Sequence, residues 1–183
     1  GAWVVVGVSN PDMMTVDAAA HATLTTVSGT HPPDSWINHT HRFAWSHRQL
    51  FLYGATGPSG FSGTLYAFDL DTAAWSQTVS GLPQVDDNCL AYDSAGSVLY
   101  SFGGDETRDG GETSETLDSY AVIDPLAGPV DTVQMPSAIG TRRGMCCAYD
   151  PTRHWMFVLG GSVVNDYYDE IQNEYHNDLW ALD

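Results

Sequence analysis

Short apolar runs that close on glycine recur along the chain. They read Val4-Val5-Val6-Gly7, Phe51-Leu52-Tyr53-Gly54, Leu99-Tyr100-Ser101-Phe102-Gly103-Gly104 and Met156-Phe157-Val158-Leu159-Gly160-Gly161. Each is too short for a helix and rich in aromatic and branched residues, so each predicts a strand. A second strand follows each run and ends in aspartate: Met14-Thr15-Val16-Asp17, Leu65-Tyr66-Ala67-Phe68-Asp69, Tyr120-Ala121-Val122-Ile123-Asp124 and Leu179-Trp180-Ala181-Leu182-Asp183. The glycines stand 47, 49 and 57 residues apart. A strand-only repeat near ~50 residues is a blade-sized unit, not a helical solenoid.

The residues between these strands complete the unit. Asp69-Leu70-Asp71-Thr72 and Asp124-Pro125-Leu126-Ala127-Gly128 supply the side-chain acceptors, the fixed φ and the permitted positive φ of tight turns. A further strand follows, as in Trp75-Ser76-Gln77-Thr78-Val79, and then a Gly/Pro connection such as Gly81-Leu82-Pro83. Ala91-Tyr92-Asp93 and Ala148-Tyr149-Asp150 precede their glycines by the same interval and open the unit with another strand. Each unit is therefore a four-stranded meander. Radial arrangement of such sheets leaves few exposed edges, which predicts an all-β propeller.

A strand ending in Gly-Gly, then a strand ending in aromatic-Asp, then Trp, resembles the kelch repeat. Phe68-Asp69 with Trp75 carries the likeness best. Gly54 is followed by Ala55 and Gly7 by Val8, and Ile123 and Val130 stand where the aromatic and the Trp would be. The resemblance implies one kelch-type propeller region over 1–183, with blade segments at about 1–28, 36–80, 86–134 and 142–183. Counting strands gives three, four, four and three, so an incomplete arc of a larger ring is expected. A four-bladed ring closed by another chain is the alternative.

Composition narrows the partners. Net charge is −17, with 23 acidic residues against six cations, all of them Arg. Such a surface repels phosphate backbones and anionic membranes, so neither nucleic acid nor membrane insertion is expected. Cationic ligands and basic protein patches are favoured. The chain holds three cysteines, Cys89, Cys146 and Cys147. Cys89 and Cys146 share one register of neighbouring units, and strands of separate sheets seldom bring Cα atoms within about 7 Å. Free thiols are expected. Arg143 and Asp86 each lie 17 residues before a glycine, which suggests an ion pair between units.

Loop length points to a functional face. The segments joining the second and third strands lengthen from Ser9–Met13 through Ala55–Thr64 and Asp105–Leu117 to Ser162–Asn177. Long connections on a rigid scaffold are where binding resides. Asp105–Glu115 carries five carboxylates, including Asp105, Glu106 and Asp109, without a calcium-loop spacing. Tyr167, Tyr168, Asp169, Glu170, Glu174, Tyr175 and His176 form a Tyr-rich acidic stretch suited to a protein partner.

The Tyr-rich stretch lacks the Glu-x-x-x-Asp-x-x-x-His spacing of iron-binding kelch proteins. His39 and His41 would share one strand face, yet two histidines fall short of a metal site. No cofactor is assigned. Asn38-His39-Thr40 is an N-glycosylation sequon if the chain is secreted. A lysine-free acidic chain with a sequon points to the cell surface; unpaired cysteines would point inward. The expected function is a non-catalytic protein-interaction or scaffolding module, bound to other proteins or to subunits of a larger assembly. The kelch resemblance also implies an alternative: an extracellular galactose-oxidase-like or other carbohydrate-acting enzyme, with metal ligands partly supplied by further blades.

Overall fold

The computed structural model describes residues 3–6, 12–16, 19, 21–30, 32, 42–46, 48–54, 56–57, 60–61, 63–108, 113–167 and 170–183. Every regular element among them is a strand. In chain order they are β1 (Trp3–Val6), β2 (Asp12–Val16), β3 (Ala22–Thr26), β4 (Ser28–Gly29), β5 (Arg42–Trp45), β6 (Gln49–Tyr53), β7 (Thr56–Gly57), β8 (Gly60–Phe61), β9 (Leu65–Asp69), β10 (Ala74–Val79) and β11 (Val85–Asp86). They continue with β12 (Cys89–Asp93), β13 (Val98–Phe102), β14 (Asp105–Arg108), β15 (Thr113–Thr116), β16 (Ser119–Asp124), β17 (Gly128–Gln134), β18 (Cys146–Asp150), β19 (Trp155–Leu159), β20 (Ser162–Tyr167), β21 (Glu170–Tyr175) and β22 (Leu179–Leu182).

The protein is all-β. Four main sheets have the orders β1-β2-β3, β4-β10-β9-β6-β5, β12-β13-β16-β17 and β18-β19-β22, and none closes on itself among the described residues. Within each, consecutive strands run antiparallel. The exception is β4, which adds to β10 in parallel and ties the first unit to the second.

Period-two alternation sends side chains to both faces of a strand, and the two middle sheets bury both faces. In the second sheet Leu52, Tyr66, Phe68 and Trp75 gather with Val27, which follows β3. Phe51, Tyr53, Leu65 and Ala67 point the other way and meet Leu90, Leu99 and Ile123 of the third sheet. The third sheet's opposite face sets Ala91, Phe102 and Tyr100 against Met156, Val158 and Tyr149 of the fourth. The first strands of these three sheets, β5, β12 and β18, lie beside one another. Phe68 and Trp75, paired across β9 and β10, have ring centroids 5.1 Å apart and are both buried.

The strand-ending aspartates turn the chain as the sequence predicts. Asp69 Oδ1 accepts the amides of Asp71 and Thr72; Asp124 Oδ1 accepts those of Leu126 and Ala127; Asp150 Oδ1 accepts those of Thr152 and Arg153. Asp93 does the same for Ala95. Four residues after each aspartate the backbone turns left-handed, at Ala73, Ser97, Gly128 and His154. Only one of these four is glycine, so the turn is set by the aspartate more than by its exit residue.

Two expectations are corrected. The segments read as long loops are largely β-hairpins: β14 pairs with β15, and β20 with β21. The cysteines are not all free. Cys89 is bridged to Cys147, with Cα atoms 5.8 Å apart, and Cys146 alone is a free, exposed thiol. The separation assumed for distinct sheets fails because β12 and β18 pack side by side. The bridging partner is Cys147 because alternation turns that residue, not Cys146, toward the third sheet.

Candidate functional site

The two hairpins leave their sheets at equivalent points. In each sheet the second strand ends, two glycines of positive φ follow (Gly103-Gly104 and Gly160-Gly161), and the hairpin begins at once, at Asp105 or Ser162. Gly104 also lies close under the preceding segment. A Cβ on it would overlap the carbonyl oxygen of Asp86 and crowd the backbone of Asn88. Each hairpin root then pairs with the chain segment entering its own sheet. β11 pairs with β14 through Asp86 and Asp105, and Arg143 pairs with Ser162.

Arg143 joins the two hairpins. Its backbone exchanges hydrogen bonds of 3.0 and 2.9 Å with Ser162 at the start of β20. Its guanidinium pairs with Asp105 at the start of β14. Asp105 is buried and also accepts a 2.7 Å bond from the Thr116 hydroxyl of β15. The ion pair expected with Asp86 is thus seen with Asp105, which faces Asp86 across the ladder.

The neighbouring Arg142 was not singled out by the sequence, and it is the more deeply placed of the two. It is 2% exposed, and its guanidinium grips Asp178 through both terminal nitrogens, at 2.5 and 2.8 Å. It also donates to the carbonyls of Ile139 and Gly160. The Arg142 bond, helped by the indole N–H of Trp180, holds the Asp178 carboxyl well below the usual carboxylate range against an opposing desolvation effect. Adjacent arginines on an extended segment point to opposite sides, so one anchors the root of β22 and the other the root of β14.

Beneath β14–β15 lies a cavity of about 330 Å³, within the range of small-ligand pockets. Tyr53, Ser101, Glu106, Glu115, Leu117 and Thr141 are among its lining residues. Glu106 and Glu115 sit directly opposite in the ladder. The Tyr53 hydroxyl donates to the Pro83 carbonyl at 2.7 Å, and burial, then the Glu106 charge, raises its pKa above the ordinary phenol value.

The sequence-predicted binding residues divide as follows. Asp105 and Glu106 are on β14; Asp105 is committed to the Arg143 pair, while Glu106 faces the cavity. Tyr167 ends β20 and stands opposite Glu170, the first residue of β21. Glu174 and Tyr175 close β21, both exposed, with Tyr175 at 78%. His176 is half-buried, and its Nε2 has no hydrogen-bond partner among the described residues. Asp109, Tyr168 and Asp169 lie outside the described residues, as do Asn38, His39 and His41.

Among the described residues no group of three or more His, Cys, Asp or Glu is placed to hold a metal ion, and no helix is long and apolar enough to cross a membrane. No protein-family model matches the chain, and no curated protein matches it.

Proposed function

We propose that these residues form part of a kelch-like propeller that works as a non-catalytic interaction module, presenting the β14–β15 and β20–β21 hairpins to a basic protein surface. The observation that carries this reading is the equivalent launch of the two hairpins from successive sheets, with Arg143 holding both roots. A pair of projecting elements held in fixed relation offers a preorganised surface, and preorganisation lowers the ordering cost of association. The net charge of −17 suits a cationic partner and would speed its approach. Tyr175 supplies the rigid amphipathic contact area that hot spots use. The side-by-side placement of β5, β12 and β18 supports the radial arrangement. The Cys89–Cys147 bridge supports an oxidising compartment, and so a surface or secreted location.

The test is capture from native extract by the wild-type protein and by a Glu174→Lys, Tyr175→Ala variant, with bound proteins identified by mass spectrometry. Both altered side chains are exposed, so the fold should be kept, and this is checked by thermal unfolding. A protein retained by the wild type, lost by the variant and released by salt is the expected result. Equal retention by both would end the hairpin reading. Stoichiometric copper or iron in the native protein would favour the metal-dependent enzyme instead.

A further inference from the structure

The three strands of the fourth sheet repeat the first three strands of the third in pairing register. On their first two strands the offset is constant: 146 minus 89 and 159 minus 102 both give 57. On the next strand, Tyr120 opposite Phe102 corresponds to Leu179 opposite Leu159. The face of the third sheet that the fourth sheet covers carries Cys89, Ala91, Phe102, Tyr100 and Tyr120. Its counterparts on the fourth sheet are Cys146, Ala148, Leu159, Phe157 and Leu179. These form the sheet's outer face: Leu159 is 50% and Leu179 63% exposed, Cys146 and Ala148 are exposed, and neighbouring Trp155 is 40% exposed. The five counterparts are uncharged, in a chain of net charge −17.

The cysteine sharpens the correspondence. Cys89, on the covered face of the third sheet, is bridged to Cys147, the second residue of the fourth sheet's first strand. Cys146 occupies the place of Cys89, and it is free. Advanced by one sheet, the same relation would call for a thiol opposite Cys146.

We propose that the outer face of the fourth sheet is covered in the native protein by a further antiparallel sheet of different sequence, and that Cys146 forms a disulfide with a cysteine near the start of that sheet's first strand. A second copy of these 183 residues does not fit. Its Cys147 is already bridged to Cys89, so it brings no free thiol in the required position, and each copy carries a charge of −17. Forming the bond oxidises two thiols to one disulfide with loss of two protons and two electrons. A disulfide oxidant accepts them by thiol–disulfide exchange and leaves as two thiols. The Cys89–Cys147 bond requires an oxidant of the same class.

Disulfide mapping of protein isolated without reduction from its native source tests this. Free thiols are alkylated first, and trypsin then releases Gly144–Arg153 with both Cys146 and Cys147. The expected product joins that peptide to two others. One contains Cys89, bonded to Cys147. The other comes from outside these 183 residues, bonds to Cys146, and sets its cysteine in a run of alternating apolar residues. Alkylated Cys146 would overturn the proposal. So would Cys146 joined to a second Gly144–Arg153, to a small thiol, to Cys89, or to a peptide without that alternation.

Discussion

Replacing Arg142 by Met keeps most of the side-chain length and removes every hydrogen bond of the guanidinium. Three acceptors then lose a donor: the Ile139 carbonyl, the Gly160 carbonyl and Asp178. Removing one partner of a buried ion pair costs about 3–5 kcal/mol, and a hydrogen bond to a charged group contributes about 1.5–3 kcal/mol. Asp178 is 38% exposed and keeps its bond to Trp180, so water satisfies part of what Arg142 leaves behind. A loss of about 2–4 kcal/mol follows. For a chain of this length that is a fall in Tm of roughly 4–16 °C. Urea and thermal unfolding of the two proteins measure it.

A second readout separates the charge from simple packing. The Asp178 carboxyl has a folded pKa below its unfolded value, so it contributes stability above the ordinary carboxylate pKa and loses that contribution as pH falls below it. Wild-type stability should therefore drop between about pH 5 and pH 2, and the Arg142→Met protein should drop less steeply over that window. A stability loss under about 1 kcal/mol, or identical acid slopes, would refute the view that this pair anchors β22.

Three further outcomes are expected. Thiol titration of the oxidised 183-residue chain in denaturant should find one thiol, and three after reduction; reducing Cys89–Cys147, which spans 58 residues, should cost about 4 kcal/mol in urea unfolding. Gly104→Ala should destabilise by at least about 1–3 kcal/mol, because φ is +93° and the new methyl group meets the backbone of Asp86 and Asn88. Burial first, then a hydrogen bond to Asp93, pushes the Tyr149 pKa up to about 12. Its contribution to stability is therefore intact below the ordinary phenol value and is lost as pH rises through that range. In a titration at 295 nm, Tyr149→Phe should remove a late-ionising part of the signal, one that titrates above the ordinary phenol value.

The strands were legible because their cause is local. Alternation and closing glycines place β6, β9, β13, β16, β19 and β22 within a residue or two of the sequence reading, and the aspartate turns follow from side-chain reach. The hairpins were not legible. β14 and β15 carry Asp, Glu, Thr and Ser, whose polarity reads as loop; they are held by ladder pairing and by Arg143 at the root, neither of which is encoded locally. The threonines at 107, 113 and 116 were the one β-favouring signal. Arg142 gave no signal at all: beside Arg143 it looks like any surface cation, and its burial depends on Asp178, 36 residues away.

The misplaced cysteine bridge and the misplaced arginine partner both come from comparison by register, but only the first is a shift between strand faces, since Asp105 stands directly opposite Asp86. Repeat register aligns a residue with its counterpart in the next unit, and counterparts are parallel in role, so they need not touch. Cys89 aligns with Cys146 but touches Cys147; Asp86 aligns with Arg143, whose guanidinium meets Asp105. Contact between neighbouring sheets joins the far face of one to the near face of the next. Within a strand those faces belong to adjacent residues. A pair such as Cys146-Cys147 therefore serves two neighbours at once, Cys147 reaching back to the third sheet and Cys146 facing away from it. The shift by one residue that defeats a register comparison is what allows a single strand to be bonded on both sides.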